Sequence, residues 1–128
     1  MRAWWHNPYV WWAVRYGMEH AMPVNRILGI VSAEGWNASA PTWEPTVQEH
    51  SYGPMQILGS TARDMGYTGD LARLHEIRVG MRYGTKYLAD RHRRYGDTCR
   101  AISAYNAGRP IAHNLPYVCR AAPYCVGC

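Results

Sequence analysis

A single carboxylate, Glu34, ends an apolar helical pattern near the start of the chain. The residues before it recur at the i, i+3, i+4, i+7 spacing of a buried helical stripe: Val24, Ile27, Leu28 and Val31. Glu34 continues this face of the helix. The negative end of the helix dipole and partial burial both disfavour an ionised carboxylate, so we expect the pKa of Glu34 to be raised. A carboxylic acid that keeps its proton near neutral pH can donate it to a leaving group. The pattern predicts a general acid; the alternative is an amphipathic helix with a solvated glutamate in its last turn.

The elements around Glu34 follow from local signals. Pro23 suits the first helical position, and Gly35 is a natural stop. Residues 36–50 contain two prolines and no periodicity, which predicts a long loop in which Trp36 and Trp43 could wall a cleft. No segment shows convincing strand alternation, so the predicted fold class is mainly α.

The helices that follow can also be placed by pattern. Ser60 can cap a short helix through Met65, and the longest helix is expected at about residues 71–94. Gly80 and Gly84 in that helix would let another helix pack closely. Residues 99–107 form a final predicted helix, and the remainder, residues 111–128, is expected to be an irregular tail.

The N-terminal segment, residues 1–22, is rich in tryptophan and is predicted to hold a short helix. Its proposed stripe is Trp11, Val14, Arg15 and Met18. The tryptophans could complete the core, which we favour, or form a docking surface on a larger assembly.

Length and charge restrict the class of protein. A chain of 128 residues is long enough for one core, so residues 1–128 are expected to form a single domain. The net charge of +5 favours anionic partners without choosing among them. The cationic cluster at residues 91–94 is best explained as the basic last turn of a helix, and we expect no nucleic-acid partner. No apolar run approaches the ~18 residues of a membrane span, and no secretory signal is evident.

Four cysteines leave three chemistries open. Cys99, Cys119, Cys125 and Cys128 could form two disulfides of undetermined pairing, remain as thiols, or contribute to a zinc site through the spacing of the last two. We favour no metal and expect no cofactor.

Four ordered motifs carry a family resemblance across residues 15–110. They are Glu34-Gly35, Gly53-Pro54-Met55-Gln56-Ile57, Gly84-Thr85-Lys86-Tyr87-Leu88 and Ala104-Tyr105-Asn106-Ala107-Gly108. Together they resemble the lytic transglycosylases of the goose-type lysozyme group, which cut peptidoglycan glycan strands and have a lysozyme-like helical fold. Two positions depart from the family pattern: Gly35 stands where a serine is usual, and Pro54 where a leucine is usual.

The resemblance implies a mechanism that needs one carboxylate. Glu34 would protonate the glycosidic oxygen between N-acetylmuramic acid and N-acetylglucosamine, and the substrate's acetamido oxygen would stabilise the anomeric centre. The ionised Glu34 would then act as base on the C6 hydroxyl, giving a 1,6-anhydromuramoyl product. Tyr105 would hydrogen-bond near the acid, while Gln56 and Asn106 would hold sugar or acetamido groups.

The predicted substrate-binding residues are Gln56, Tyr105, Asn106, Met55 and Tyr52. The nearest alternative is hydrolysis, with water positioned by Glu44 or Glu49. A further alternative is a structural or nucleic-acid-binding module in which Glu34 is incidental.

The expected partner is the glycan strand of peptidoglycan. The expected location is a bacteriophage virion, with the Trp-rich N-terminus docked on other virion proteins, or else a free endolysin in the host.

Overall fold

The computed structural model describes residues 6–36, 40–111 and 114–128. This part of the chain is mainly helical, as predicted. Its elements in chain order are helix α1 (Pro8–His20), helix α2 (Val24–Ala33), strand β1 (Thr42–Glu44), strand β2 (Glu49–Tyr52), strand β3 (Ile57–Leu58), helix α3 (Gly59–Asp64), a 3-10 helix (Leu71–His75), helix α4 (Ile77–Tyr95), helix α5 (Thr98–Ala107) and helix α6 (Leu115–Ala121).

The main core lies where α2, α4, α5 and α6 meet. Its fully buried members include Ile27, Met81 and Ile102, and Tyr117 of α6 packs in the same cluster. Burial of side chains of this size stabilises a fold by about 1.5–3 kcal/mol each. The core therefore holds the C-terminal end of α2, and with it Glu34, against α6.

A small antiparallel sheet replaces much of the predicted loop. Strands β1, β2 and β3 are neighbours in that order, and Trp43 pairs with His50 while Glu44 pairs with Glu49. The strands have only two to four residues each, too short for an alternation pattern to be recognised in the sequence. The prediction of a loop throughout residues 36–50 was therefore wrong, because β1 and the start of β2 lie in this range.

The predicted long helix is interrupted. Glu76 has an extended backbone (φ −64°, ψ 127°) and separates the 3-10 helix from α4. The close contacts at Gly80 and Gly84 are made by the turn at Pro54 and Met55 and by the 3-10 helix, not by a second α-helix. A Cβ on Gly84 would lie 2.5 Å from Met55 Sδ, and one on Gly80 would lie 2.3 Å from the Leu74 carbonyl oxygen.

Three further expectations need correction. Helix α1 buries Ala13, Tyr16 and Gly17, whereas Trp11 and Met18 of the proposed stripe are exposed. The tail is not irregular throughout, because it contains α6, whose Pro116 is well placed in the first turn. Helix α3 begins at Gly59 rather than after a Ser60 cap.

Two disulfides answer the question left open by the cysteines. Cys99 at the start of α5 is joined to Cys125, and Cys119 of α6 is joined to Cys128. All four sulfur atoms are used in these bonds, so the zinc alternative is wrong. The two links tie α6 and the chain end to the helical core.

Across residues 6–36, 40–111 and 114–128, no helix is both long enough and apolar enough to span a bilayer. Trp4 and Trp5, which belong to the N-terminal tryptophans expected in the core or, alternatively, on a docking surface, lie outside the described residues.

Candidate active site

Glu34 lies at the C-terminal cap of α2, directly after Ala33. Its carboxylate is partly buried and accepts a hydrogen bond of 2.7 Å from the hydroxyl of Tyr117. Burial raises the pKa of Glu34 to about 7, the hydrogen bond from Tyr117 opposes that rise, Glu44 adds to it, and Arg120 opposes it. Glu34 thus holds its proton close to neutral pH, which general acid catalysis requires.

Tyr117 is the partner that the sequence did not reveal. It is separated from Glu34 by 83 positions and lies in the segment expected to be irregular. Burial and the adjacent Glu34 carboxylate raise the pKa of Tyr117 well above its usual value, so its hydroxyl remains a donor. The amphipathic spacing of Leu115, Val118 and Ala121 around it was the available signal, weakened by three nearby prolines.

Gln56 is presented by a tight turn on which Pro54 and Met55 are the central residues. The Gln56 amide N–H donates to the Gly53 carbonyl at 3.0 Å, and the side-chain Nε2 donates to the same oxygen at 2.8 Å. Gln56 has a φ of +47°, a left-handed conformation that a residue with a side chain seldom adopts. Backbone strain of this kind is common at functional sites.

Tyr105 holds the turn that presents Gln56 through a hydrogen bond to the backbone. Its buried hydroxyl donates to the Met55 carbonyl at 2.6 Å, and burial together with Glu34 raises its pKa well above the usual value. The hydrogen bond to the acid itself comes from Tyr117. Tyr105 therefore supports the turn beside the acid.

Met55 needs correction as a substrate-binding residue. Its side chain is 0% exposed and packs against Gly84, while Thr85 Oγ1 lies 3.8 Å from its sulfur. A side chain with no accessible surface cannot contact a sugar, so Met55 belongs to the core beneath Gln56.

Asn106 and Tyr52 occupy different surroundings. Asn106 is exposed in the last turn of α5, and its side-chain oxygen accepts from Asn114 Nδ2 at 3.1 Å. Tyr52 shares a sheet face with His50 and Trp43, and its ring also lies 5.6 Å from that of His75. That face is opposite to the one bearing Ser51 and Glu44, so Tyr52 is not grouped with them.

Glu44 and Glu49, in the hairpin formed by β1 and β2, have different interaction partners. Glu49 accepts hydrogen bonds from the backbone N–H and the hydroxyl of Ser60, at 2.9 and 2.7 Å, and so holds the first turn of α3. Glu44 accepts from Ser51 at 2.9 Å and is close enough to raise the pKa of Glu34. Of the two, only Glu44 interacts electrostatically with the acid.

Both departures from the motif pattern have a local explanation. Gly35 has a φ of +81°, where glycine avoids the strain that serine would incur. Pro54 is at the second position of the turn closed by Gln56, where a fixed φ near −65° is favourable. The side chains that act on the pKa of Glu34 are Tyr117, Glu44 and Arg120, and neither Gly35 nor Pro54 is among them.

Within the described residues, no group of three or more His, Cys, Asp or Glu side chains is placed to hold a metal ion. The groups that act on the pKa of Glu34 are a hydrogen-bond donor, Tyr117, a second carboxylate, Glu44, and a cation, Arg120.

Residues 15–114 match the family described as the Transglycosylase SLT domain. The chain belongs to this family. The match covers Glu34, the turn before Gln56 and the Tyr105-Asn106 pair, so the family resemblance drawn from the motifs is confirmed. No curated protein sequence matches the chain.

A solved structure shares the fold of this SLT domain. It is an inactive mutant of the lytic transglycosylase Slt from Pseudomonas aeruginosa, with a TM-score of 0.66 and 21% sequence identity over 88% of the present chain. This similarity confirms the predicted lysozyme-like helical fold. The chain spans only 20% of the length of that protein.

Proposed function

We propose that this SLT domain is a peptidoglycan lytic transglycosylase that cleaves the bond between N-acetylmuramic acid and N-acetylglucosamine without water. The observation that carries the proposal is the partly buried Glu34 carboxyl group, held by Tyr117 and with a pKa of about 7. Such a group can give up a proton at neutral pH and take one back in the next step. Family membership supplies the reaction class.

In the first step, Glu34 donates its proton to the glycosidic oxygen, the bond between that oxygen and the anomeric carbon breaks, and the N-acetylglucosamine part leaves as an alcohol. The substrate's acetamido oxygen forms a bond to the anomeric carbon in its place. Glu34 becomes ionised, and the Tyr117 hydroxyl and Arg120 stabilise the new charge. In the second step, Glu34 removes the proton of the C6 hydroxyl, which displaces the acetamido oxygen and closes the anhydro ring. The proton returns to Glu34, so no net proton is consumed.

Gln56 and Asn106 are the proposed sugar-binding residues. The amide of Gln56 keeps one N–H beyond its bond to Gly53, and Asn106 is exposed at the end of α5. Amides suit the hydroxyl and acetamido groups of amino sugars because each offers both a donor and an acceptor. Tyr52, on the opposite face of the sheet from Ser51 and Glu44, remains a predicted sugar contact.

Digestion of purified peptidoglycan by the wild type and by Glu34→Gln tests the proposal. The wild type should release muropeptides that are lighter by one water than hydrolysis products, and Glu34→Gln should lower the rate by at least a thousandfold. Glu19→Gln, on the exposed side of α1, is the matched control and should act as the wild type does. Products with reducing ends throughout would refute the transglycosylase assignment.

Hydrolysis is the second candidate, supported by the position of Glu44. This carboxylate is near Glu34 and could orient a water molecule, whereas Glu49 is engaged at the start of α3. Glu44→Ala should still give anhydro ends, at whatever rate, if the transglycosylase route dominates. Reducing-end products that are formed by the wild type and disappear in Glu44→Ala would support the hydrolytic route.

The proposed place of action is the bacterial cell wall during phage infection, with the domain carried in the virion. Support comes from the tryptophan-rich N-terminus, in which Trp11 is 42% exposed, and from two disulfides that suit a compartment outside the reducing cytoplasm. Mass spectrometry of purified particles tests this location. Absence of the polypeptide from particles would favour an endolysin released in the host.

A further inference from the structure

Three polar contacts connect Glu44 in the hairpin to the turn that presents Gln56. Ser51 Oγ lies 2.9 Å from Glu44 Oε1 and 2.9 Å from Gln56 Oε1. Gln56 Nε2 lies 2.8 Å from the Gly53 carbonyl oxygen. Ser51 is only 1% exposed, so water has little access to its hydroxyl group.

The hydrogens available for these contacts can be counted. The hydroxyl of Ser51 has one hydrogen, and the amide of Gln56 can donate at its nitrogen end alone. With an ionised Glu44, three contacts therefore share two hydrogens. If the side-chain amide of Gln56 were flipped, its nitrogen would face Ser51 and its oxygen would face the Gly53 carbonyl oxygen. One hydrogen would still be missing, because these two oxygens are both acceptors.

The charge of Glu44 decides where the hydroxyl hydrogen goes. A hydrogen bond to a carboxylate is about twice as strong as one to a neutral carbonyl, so Ser51 donates mainly to Glu44. The carbonyl oxygen of Gln56 is then left without a full donor, although the amide is held in place by Gly53. A hydroxyl or acetamido N–H of a bound sugar can satisfy that oxygen.

We propose that Ser51 is a positioning residue that transmits the charge of Glu44 to Gln56 and so makes the Gln56 carbonyl oxygen an acceptor for a sugar donor. The inference rests on the proposed function for the identity of the ligand. The coupling between Glu44 and Gln56 does not depend on that function, because it is a property of the protein without a ligand. The left-handed backbone of Gln56 accords with a side chain held in one orientation for binding.

The coupling is tested first without any glycan, by NMR of the Gln56 side-chain amide. Glu44→Gln places a donor against Ser51 Oγ, which frees the hydroxyl hydrogen for Gln56. This variant should shift the Gln56 amide resonance and slow its hydrogen exchange several-fold. In a Ser51→Ala background the same change should have no effect on that resonance. An equal effect with and without Ser51 would overturn the inference.

Binding is tested separately, in a Glu34→Gln background that cannot turn over its ligand. The probe is the tetramer of N-acetylglucosamine, titrated by calorimetry. Glu44→Gln should weaken its binding about threefold when Ser51 is present, because the freed hydroxyl then occupies the Gln56 oxygen, and should have no further effect in a Ser51→Ala background. Ser32→Ala, an exposed serine on α2, is the control.

The two possible failures are distinguishable. If the Glu34→Gln parent does not bind the tetramer, the proposed function loses support while the NMR comparison still decides the role of Ser51. If the parent binds and the effects of Ser51→Ala and Glu44→Gln add in full, Ser51 does not transmit the charge. A fall in melting temperature of Ser51→Ala with unchanged Gln56 exchange would show a structural role only, and would also overturn the inference.

Discussion

At the scale of single residues, the proton on Glu34 is balanced between opposing influences. Burial favours the neutral acid, whereas Tyr117 and Arg120 favour the carboxylate. The acid step needs the first form and the base step needs the second, so a pKa near the working pH serves both. The helix pattern predicted the direction of the pKa shift, but Tyr117 is a contact made only by the folded chain.

Tyr117→Phe should move the pH dependence of activity. Loss of the hydroxyl removes the bond that lowers the pKa of Glu34, so the pKa should rise and the alkaline limb of the rate profile should move up by about one pH unit. The maximal rate should fall roughly tenfold because ionised Glu34 loses its donor. Lysis rates from pH 5 to 9 measure both effects. The exposed Tyr124→Phe is the control, and an unmoved limb would rule out Tyr117 as a partner of the acid.

Glu34→Gln should stabilise the fold at alkaline pH. The pKa of Glu34 rises from 4.5 in the unfolded chain to about 7 in the folded domain, so the folded state binds the proton more tightly. Its contribution to stability is full below pH 4.5 and is lost as the pH rises through 7. A neutral amide avoids this loss, worth about 3 kcal/mol. Urea unfolding at pH 4.5 and pH 8 tests it: an equal difference between the variants at both pH values would contradict the expectation.

At the scale of elements, α6 carries the hydrogen-bond donor of Glu34, although the sequence pattern predicted an irregular segment there. The apolar stripe of α2 and the buried face of α4 were predictable because their periodicity extends over several turns. The three short strands and the seven-residue α6 were not, since each forms through tertiary contacts rather than through a long local pattern. The same limit explains why the motifs located Gln56 and Tyr105 but missed Tyr117 and the supporting role of Ser51.

Gly29→Ala should displace α6 from α2. A Cβ at this position would lie 2.3 Å from the Ala121 carbonyl oxygen, so the backbone of α6 must move. Because a displacement near 1 Å at a catalytic group can cost about a hundredfold in rate, we expect activity to fall by at least tenfold. Stability should fall by about 1–3 kcal/mol.

The matched control is Ser32→Ala, an exposed position on the same helix, which should change neither property. Lysis assays and urea unfolding measure the two effects. Full activity with an unchanged pH profile in Gly29→Ala would show that α6 need not sit so closely against α2.

At the scale of the whole molecule, the disulfides fasten the end of the chain to the body that carries Glu34. Cys99–Cys125 spans 26 positions and Cys119–Cys128 spans 9. A link that closes a longer loop removes more conformational entropy from the unfolded chain. The two links are therefore expected to contribute unequally to stability.

Paired serine substitutions test this ranking. Removing Cys99–Cys125 should cost about 3.6 kcal/mol and removing Cys119–Cys128 about 2.7 kcal/mol on the chain-entropy relation. Urea unfolding under oxidising conditions measures both, with the reduced wild type as the reference for losing both links together. A larger loss from the shorter link would refute the ranking.

The hydrogen bond between Glu34 and Tyr117 also sets an order of events during synthesis. The acid is translated early, whereas its donor arrives 83 residues later. A nascent chain therefore carries the acid without its donor until α6 has left the ribosome, folded and been cross-linked. The surroundings that set the pKa of Glu34 are completed only when α6 has packed against α2, long after the acid itself has been made.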